Sequence, residues 1–152
     1  MKKNELLNNL AKLSQVIGNE VAYAQGSGGN TSVKFDENQM AIKASGSNLK
    51  DVTPHSGHSV VNYKELIEFL GSKNLKKDNF STLINKCSTT SNNKPSIETG
   101  FHSFLGKYVI HSHSAYANAL TCAVGGQKII QDLFPDAVCV SYKTPGIDLT
   151  LE

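Results

Sequence analysis

Two histidines one residue apart, His111-Ser112-His113, have the most direct chemical use in this sequence. On a β-strand residues i and i+2 share a face, so both imidazoles can reach one metal ion at little entropic cost. Two exposed or hydrogen-bonded histidines are the plainer outcome, since a chain with five histidines can carry an H-x-H by chance. Glu98 and His102 stand four apart, on one helical face, where a surface Glu–His pair is the ordinary result. Glu98, however, follows Pro95-Ser96 at an expected helix start and lies 13 residues before His111. Helix and strand can then form a hairpin-like unit that brings the carboxylate to the metal. There it can act as ligand, as general base, or as each in turn.

Two further segments suit an anion. In Gly26-Ser27-Gly28-Gly29-Asn30-Thr31 the glycines permit close backbone approach, and successive N–H groups can form an anion-binding nest. The segment lacks the lysine of a P-loop, and no strand precedes it as a dinucleotide fingerprint requires. Ala44-Ser45-Gly46-Ser47 again offers hydroxyls and unobstructed backbone. For each, a simple turn is the alternative.

The elements that must position these groups follow from periodicity. Leu6, Leu7, Leu10, Leu13 and Ile17 predict an amphipathic, core-packing helix over 4–17, stopped by Gly18-Asn19. Thr31 to Phe35 and Gln39 to Ala44 alternate around the turn Asp36-Glu37-Asn38, which predicts a hairpin. Short helices are expected over 63–70 and 78–86, and a polar loop over 88–93. Pro95 suits a helix start with Ile97, Phe101, Phe104 and Leu105 as its buried stripe. A strand is expected over 108–113, then a helix capped by Ser114, running through Ala123 and ended by Gly125-Gly126. Val138 to Tyr142 reads as a last strand before a turn at Thr144-Pro145-Gly146.

Composition narrows the class. At 152 residues and 16.4 kDa, one domain is expected. A chain of this size hides roughly two-thirds of its surface on folding, so it can build a core without staples. With 39% hydrophobic and 18% charged residues it is globular rather than disordered. A net charge of +2 with dispersed lysines gives no nucleic-acid footprint. All 15 basic residues are lysine, so no guanidinium fork is present to grip phosphate. Any phosphate must be held by backbone N–H groups, hydroxyls, amides or an ammonium. Cys87, Cys122 and Cys139 are odd in number and lack a C-x-x-C spacing, which favours a reducing cytoplasm. Met1-Lys2-Lys3 imitates the start of a signal peptide, but Glu5, Asn8, Asn9 and Lys12 interrupt the apolar stretch export needs. No run approaches 18 apolar residues, so no membrane partner is expected.

Taken in order, Gly28-Gly29-Asn30-Thr31-Ser32, Lys43-Ala44-Ser45-Gly46, Pro95-Ser96-Ile97-Glu98, His111-Ser112-His113 and Thr144-Pro145-Gly146 resemble the class II aldolase/adducin family. That family includes fuculose- and rhamnulose-phosphate aldolases and ribulose-phosphate 4-epimerases. The resemblance runs from about residue 5 to residue 149. Within it, Gly29 to Lys34 together with Ser96 to Thr99 look closest to aldolase domains fused to a second catalytic domain. It implies a three-layer α/β/α fold with a mainly antiparallel central sheet, and usually a homotetramer with active sites between subunits. It implies that Gly29, Asn30, Ser45, Gly46 and Ser96 hold the phosphate of a small sugar substrate, and that His111 and His113 bind zinc or another divalent ion. Glu98 is then the acid/base, on or near the metal until substrate displaces it. The reaction implied is aldol cleavage through an enediolate, with epimerisation, dehydration or an adducin-like binding and assembly role as alternatives.

Three positions differ from the family's pattern. The family's third metal histidine lies well downstream of the H-x-H, whereas no histidine follows His113 here. Ile97 stands where the simple aldolases carry a hydroxyl, and the spacing before and after Glu98 differs. The motif order leads us to expect an N-terminal-type domain over residues 1–150, truncated at its C-terminus, with Leu151-Glu152 fitting a vector junction. His102, or Glu98 with water, would complete a rearranged site, and a silent interaction module is the remaining alternative. A truncated chain would hold zinc weakly and below one equivalent, and could be inactive by itself.

Overall fold

A computed structural model of the chain describes residues 2–72, 79–90 and 92–152. The helix α1, Lys3–Gly18, forms where expected because Leu6, Leu10, Ala11 and Ser14 recur on one face, and that face is buried. Asn19 caps its end, its backbone N–H donating to Gln15. The expected hairpin is present as β1, Asn30–Lys34, and β2, Gln39–Lys43. A short 3-10 turn, Leu49–Asp51, packs against α1. β3, His58–Asn62, and β4, Tyr108–His111, complete a four-stranded sheet of order β3-β2-β1-β4 in which every neighbouring pair is antiparallel.

The sheet's two faces explain the layering. Val33, Ala41 and Val60 are cross-strand neighbours and pack with Leu6 and Leu10 of α1. Met40, Ile42 and Val61 lie on the opposite face with Tyr63. On that side α2, Tyr63–Leu70, α3, Phe80–Lys86, and α7, Ile147–Thr150, share a cluster of Leu66, Leu70, Phe80, Ile84, Cys87 and Ile147. The result is an α/β fold with helices on both faces of an antiparallel sheet. Residue 78, where the expected third helix began, lies outside the described residues, as do Met1 and, in the 88–93 loop, Ser91. Among the described residues no helix is long and apolar enough to cross a membrane.

Four expectations are corrected. The helix predicted from Pro95 is α4, Thr99–Phe104, because Pro95 instead pairs with Ala44 in an isolated β-bridge. Its buried residues are Thr99, Gly100, His102 and Ser103, while Ile97, Phe104 and Leu105 are 43–51% exposed. The helix lies too close to its neighbours for large side chains, since a Cβ on Gly100 would stand 2.7 Å from the Phe80 ring. The H-x-H strand stops at His111, and His113 instead pairs its N–H with the Tyr23 carbonyl. Ser114 caps α5 as predicted, but α5 is Ala115–Thr121 and is closed by Cys122. Gly125, with φ +76°, opens a further helix, α6, Gly126–Leu133, rather than ending the previous one. Residues 138–142 form no strand: they take no place in the sheet, and Val138, Val140 and Tyr142 are exposed. β3 was unforeseen, its sequence HSVVN carrying only two apolar residues.

Candidate metal and anion site

The site grows from one strand. Alternate residues of β1 point to opposite faces, so Thr31 and Val33 turn toward α1, where the Thr31 hydroxyl meets that of Ser14 at 2.5 Å. Asn30, Ser32 and Lys34 turn the other way and meet α4 along its length. Asn30 Nδ2 donates to Glu98 Oε2 and, at 3.3 Å, to Ser96 Oγ. The Ser32 hydroxyl pairs with His102 Nδ1 at 2.8 Å. Lys34 Nζ donates to the carbonyls of Ser103 at 2.8 Å and Leu105 at 2.5 Å, satisfying the C-terminal end of the helix.

β4 brings the histidines to the same place. Asn30 is the ladder partner of His111, which sets Glu98, at the N-cap of α4, beside the H-x-H. Ligand atoms of Glu98, His111 and His113 all lie within 4.8 Å of one another. Glu98 Oε2 approaches His111 Nδ1 to 3.3 Å, yet the pair lacks the alignment of a hydrogen bond, and Nδ1 is buried without a hydrogen-bond partner. An unsatisfied imidazole nitrogen beside a carboxylate and a second imidazole is a donor set that suits zinc or a similar divalent cation. These residues therefore fit the metal. His102 is not in the group; its ring centroid is 6.2 Å from that of His111.

Electrostatics agree with this division. Burial works to raise the Glu98 carboxyl, but the adjoining His111 ring, with His113 and His102 behind it, outweighs burial and holds the group below the ordinary glutamate range. His102, wholly buried, is pushed down to about 3, first by burial and then by His111, and so is neutral. The unfolded histidine titrates near 6.5, so between about pH 6.5 and 3 the unfolded chain binds the additional proton. Stability is therefore expected to fall as the pH drops through that window, by up to ~1.4 kcal/mol per pH unit from this residue. Urea midpoints between pH 7 and pH 4 measure the slope, and His102→Asn should flatten it; an unchanged slope would show His102 to be solvated.

The glycine loop serves the histidines directly. A Cβ on Gly28 would stand 2.8 Å from His113 Nδ1, and one on Gly29, at φ +76°, 2.7 Å from the His111 carbonyl oxygen. Gly46, also at positive φ, has open space around it on an exposed turn with Ser45. That turn is fastened to the segment before Glu98, because Ser45 N–H donates to the Lys94 carbonyl and Ala44 bridges Pro95. Gly29, Asn30, Ser45, Gly46 and Ser96 thus form one connected region next to the metal ligands, although Asn30 already spends its amide N–H groups on Ser96 and Glu98.

One residue of this region was given no role from the sequence. Lys43 ends β2 at 2% exposure, and its ammonium donates to the carbonyls of Ser27 at 3.0 Å, Ser47 at 2.7 Å and Ala44 at 3.5 Å. It ties the two glycine loops together from behind. Burial lowers its pKa, and the Glu98 charge partly offsets the shift. The sequence signal was its place immediately before Ala44-Ser45-Gly46 in an arginine-free chain.

The sequence profile described as Class II Aldolase and Adducin N-terminal domain matches residues 8–151. The N-terminal class II aldolase domain of a conserved protein from Thermoplasma acidophilum superposes with a TM-score of 0.84 at 25% identity, covering 95% of this chain and 71% of that one. YgbL of Klebsiella pneumoniae, named as a candidate aldolase/epimerase/decarboxylase, gives 0.59 at 23% identity, covering 82% and 52%. An L-fuculose 1-phosphate aldolase gives 0.54 at 23% identity, covering 80% and 50%. The chain spans about half the length of the last two structures. No curated protein matches it at a significant level.

Proposed function

The chain belongs to the class II aldolase and adducin N-terminal domain family, and from that membership we propose that it is a divalent-metal-dependent, aldolase-type lyase for a small phosphorylated sugar or ketose. The observation that carries the proposal is the convergence of Glu98, His111 and His113, with His111 Nδ1 left unsatisfied. His111 and His113 would hold zinc, with Glu98 beside them. Such an ion, when bound, polarises carbonyl and hydroxyl oxygens and stabilises the negative charge of an enediolate.

The chain's own residues would do the rest. Glu98 is ionised at neutral pH and held by Asn30, so it can accept the proton of the substrate hydroxyl adjoining the bond to be cleaved. The O–H electrons become the carbonyl of the released aldehyde, and the C–C bonding pair stays with the other fragment as the enediolate. Protonated Glu98 then returns its proton to the enediolate carbon, which balances the cycle. Backbone N–H groups around Gly28-Gly29 and Ser45-Gly46, with the Ser96 hydroxyl, would anchor the phosphate, so that remote binding energy orients the reacting carbons. Lys43 supplies positive charge behind them. The fuculose phosphate aldolase that shares the fold is named for a substrate of this class.

Three free thiols support a reducing cytoplasm. The exposed apolar residues Tyr116, Leu133, Phe134, Val138 and Tyr142 support a homo-oligomer that covers them.

Metal analysis tests the reading. The purified chain is expected to carry zinc below one equivalent, to approach one at saturation, and to lose it on His111→Ala or His113→Ala. Zinc uptake unaffected by either substitution would overturn the proposal. Zinc binding without deuterium exchange into any phosphorylated ketose would leave a chain inactive by itself or an assembly module.

A further inference from the structure

Glu98 and His102 are four residues apart along α4, a rise of about 6 Å. Their partners Asn30 and Ser32 are two apart along β1, a rise of about 6.6 Å. The spacings agree, so Glu98–Asn30 and His102–Ser32 form successive rungs between helix and strand. Lys34, two residues further on, makes the third rung to the carbonyls at the far end of α4. The buried face of α4 carries no large aliphatic side chain. On its other side Gly100 packs against Phe80 and Thr150, so toward β1 the polar rungs are what fix its register. Of the rungs, the His102 one is fully buried, and both of its residues sit at 0–1% exposure.

We infer that His102 is a positioning residue, whose hydrogen bond to Ser32 fixes α4 on β1 and thereby holds the Glu98 carboxylate against Asn30 and His111. It needs no contact with metal or substrate to do this. It is buried among Ser32, Phe101 and the His111 ring. The zinc part of the test rests on the metal-site reading above, whereas the spectroscopic part does not.

The test uses the pair of amide replacements. In His102→Asn a polar atom remains where Nδ1 stood and can still meet Ser32; in His102→Gln the polar atoms move out toward the Nε2 position. In the metal-free chain, the nuclear Overhauser contact between the Glu98 γ-protons and the Asn30 side-chain amide should persist in His102→Asn and disappear in His102→Gln. Zinc affinity should fall about 10- to 100-fold in His102→Gln, as for other residues that orient metal ligands, and stay within about threefold of the parent in His102→Asn. Ser32→Ala should reproduce His102→Gln and serves if that variant does not fold. A merely structural histidine would make both amides behave alike, and that result, or an unchanged Glu98–Asn30 contact in His102→Gln and Ser32→Ala, overturns the inference. If the parent chain binds no zinc, the metal-site reading fails, and the Overhauser contact alone still decides the role of His102.

Discussion

Glu98→Gln is expected to slow solvent-deuterium exchange into a phosphorylated ketose by about 10²- to 10⁴-fold, the span that a positioned acid/base contributes. Glutamine keeps the length and can still accept from Asn30, so it removes the proton-transfer function with the least disturbance of the helix N-cap. Phosphate is anchored elsewhere in this reading, so KM should stay within about threefold, which separates a transition-state role from a binding one. Glu98→Asp makes a second check. It preserves the charge but withdraws the carboxylate by one methylene, and a misplacement of about 1 Å can cost about 10²-fold. Since the Glu98 carboxyl is held below the ordinary glutamate range, the parent's rate should lose its base only at acidic pH, below the usual glutamate titration. Exchange within tenfold of the parent in Glu98→Gln would remove Glu98 from the proton transfer and sink the mechanism.

The features legible in the sequence were those whose chemistry is local. H-x-H needs only a strand direction, and although β4 ends at His111, the two imidazoles still converge with Glu98. The glycine loop was legible as close-approach backbone, but what it approaches, the carbonyl of His111 and the ring of His113, is a tertiary fact. The stripe assigned to α4 failed for a physical reason. Apolar periodicity reports burial only when a helix packs through large side chains, and α4 docks through Thr99, Gly100, His102 and Ser103. Polar rungs leave no hydrophobic signature, so Ser32–His102 and Lys34 with the α4 carbonyls were invisible one residue at a time. Residues 138–142 failed in the opposite sense. Alternation of β-formers describes a half-buried surface, and it makes no strand where no neighbouring strand supplies a ladder.

Lys43→Met carries the second large effect, because it separates two functions that the structure merges in one ammonium. As a structural group, Lys43 satisfies carbonyls of Ser27 and Ser47 on the two loops, and methionine would free those part-buried acceptors, at a cost below the ~1–3 kcal/mol of a fully buried unpaired group wherever water reaches them. As an electrostatic group, it is the only lysine among the described residues that is buried, and it stands behind both candidate phosphate loops in a chain without arginine. The buried ammonium is poorly solvated, which is why its pKa is lowered, and a charge in that setting is screened less by salt than the surface lysines are. Inorganic phosphate should therefore bind to Lys43→Met at least about tenfold more weakly, a difference of ~1.4 kcal/mol or more, when both proteins are measured well below their unfolding temperatures. A comparison at low and at 0.3 M salt isolates the buried charge, because the loss should persist where exposed pairs are screened. Lys43→Arg should not restore binding, since a planar fork cannot reproduce three divergent donations to backbone carbonyls from a compact ammonium. If Lys43→Met unfolds more readily yet binds phosphate as tightly as the parent, Lys43 is a fastening between loops, and the anion is held by N–H groups and hydroxyls alone.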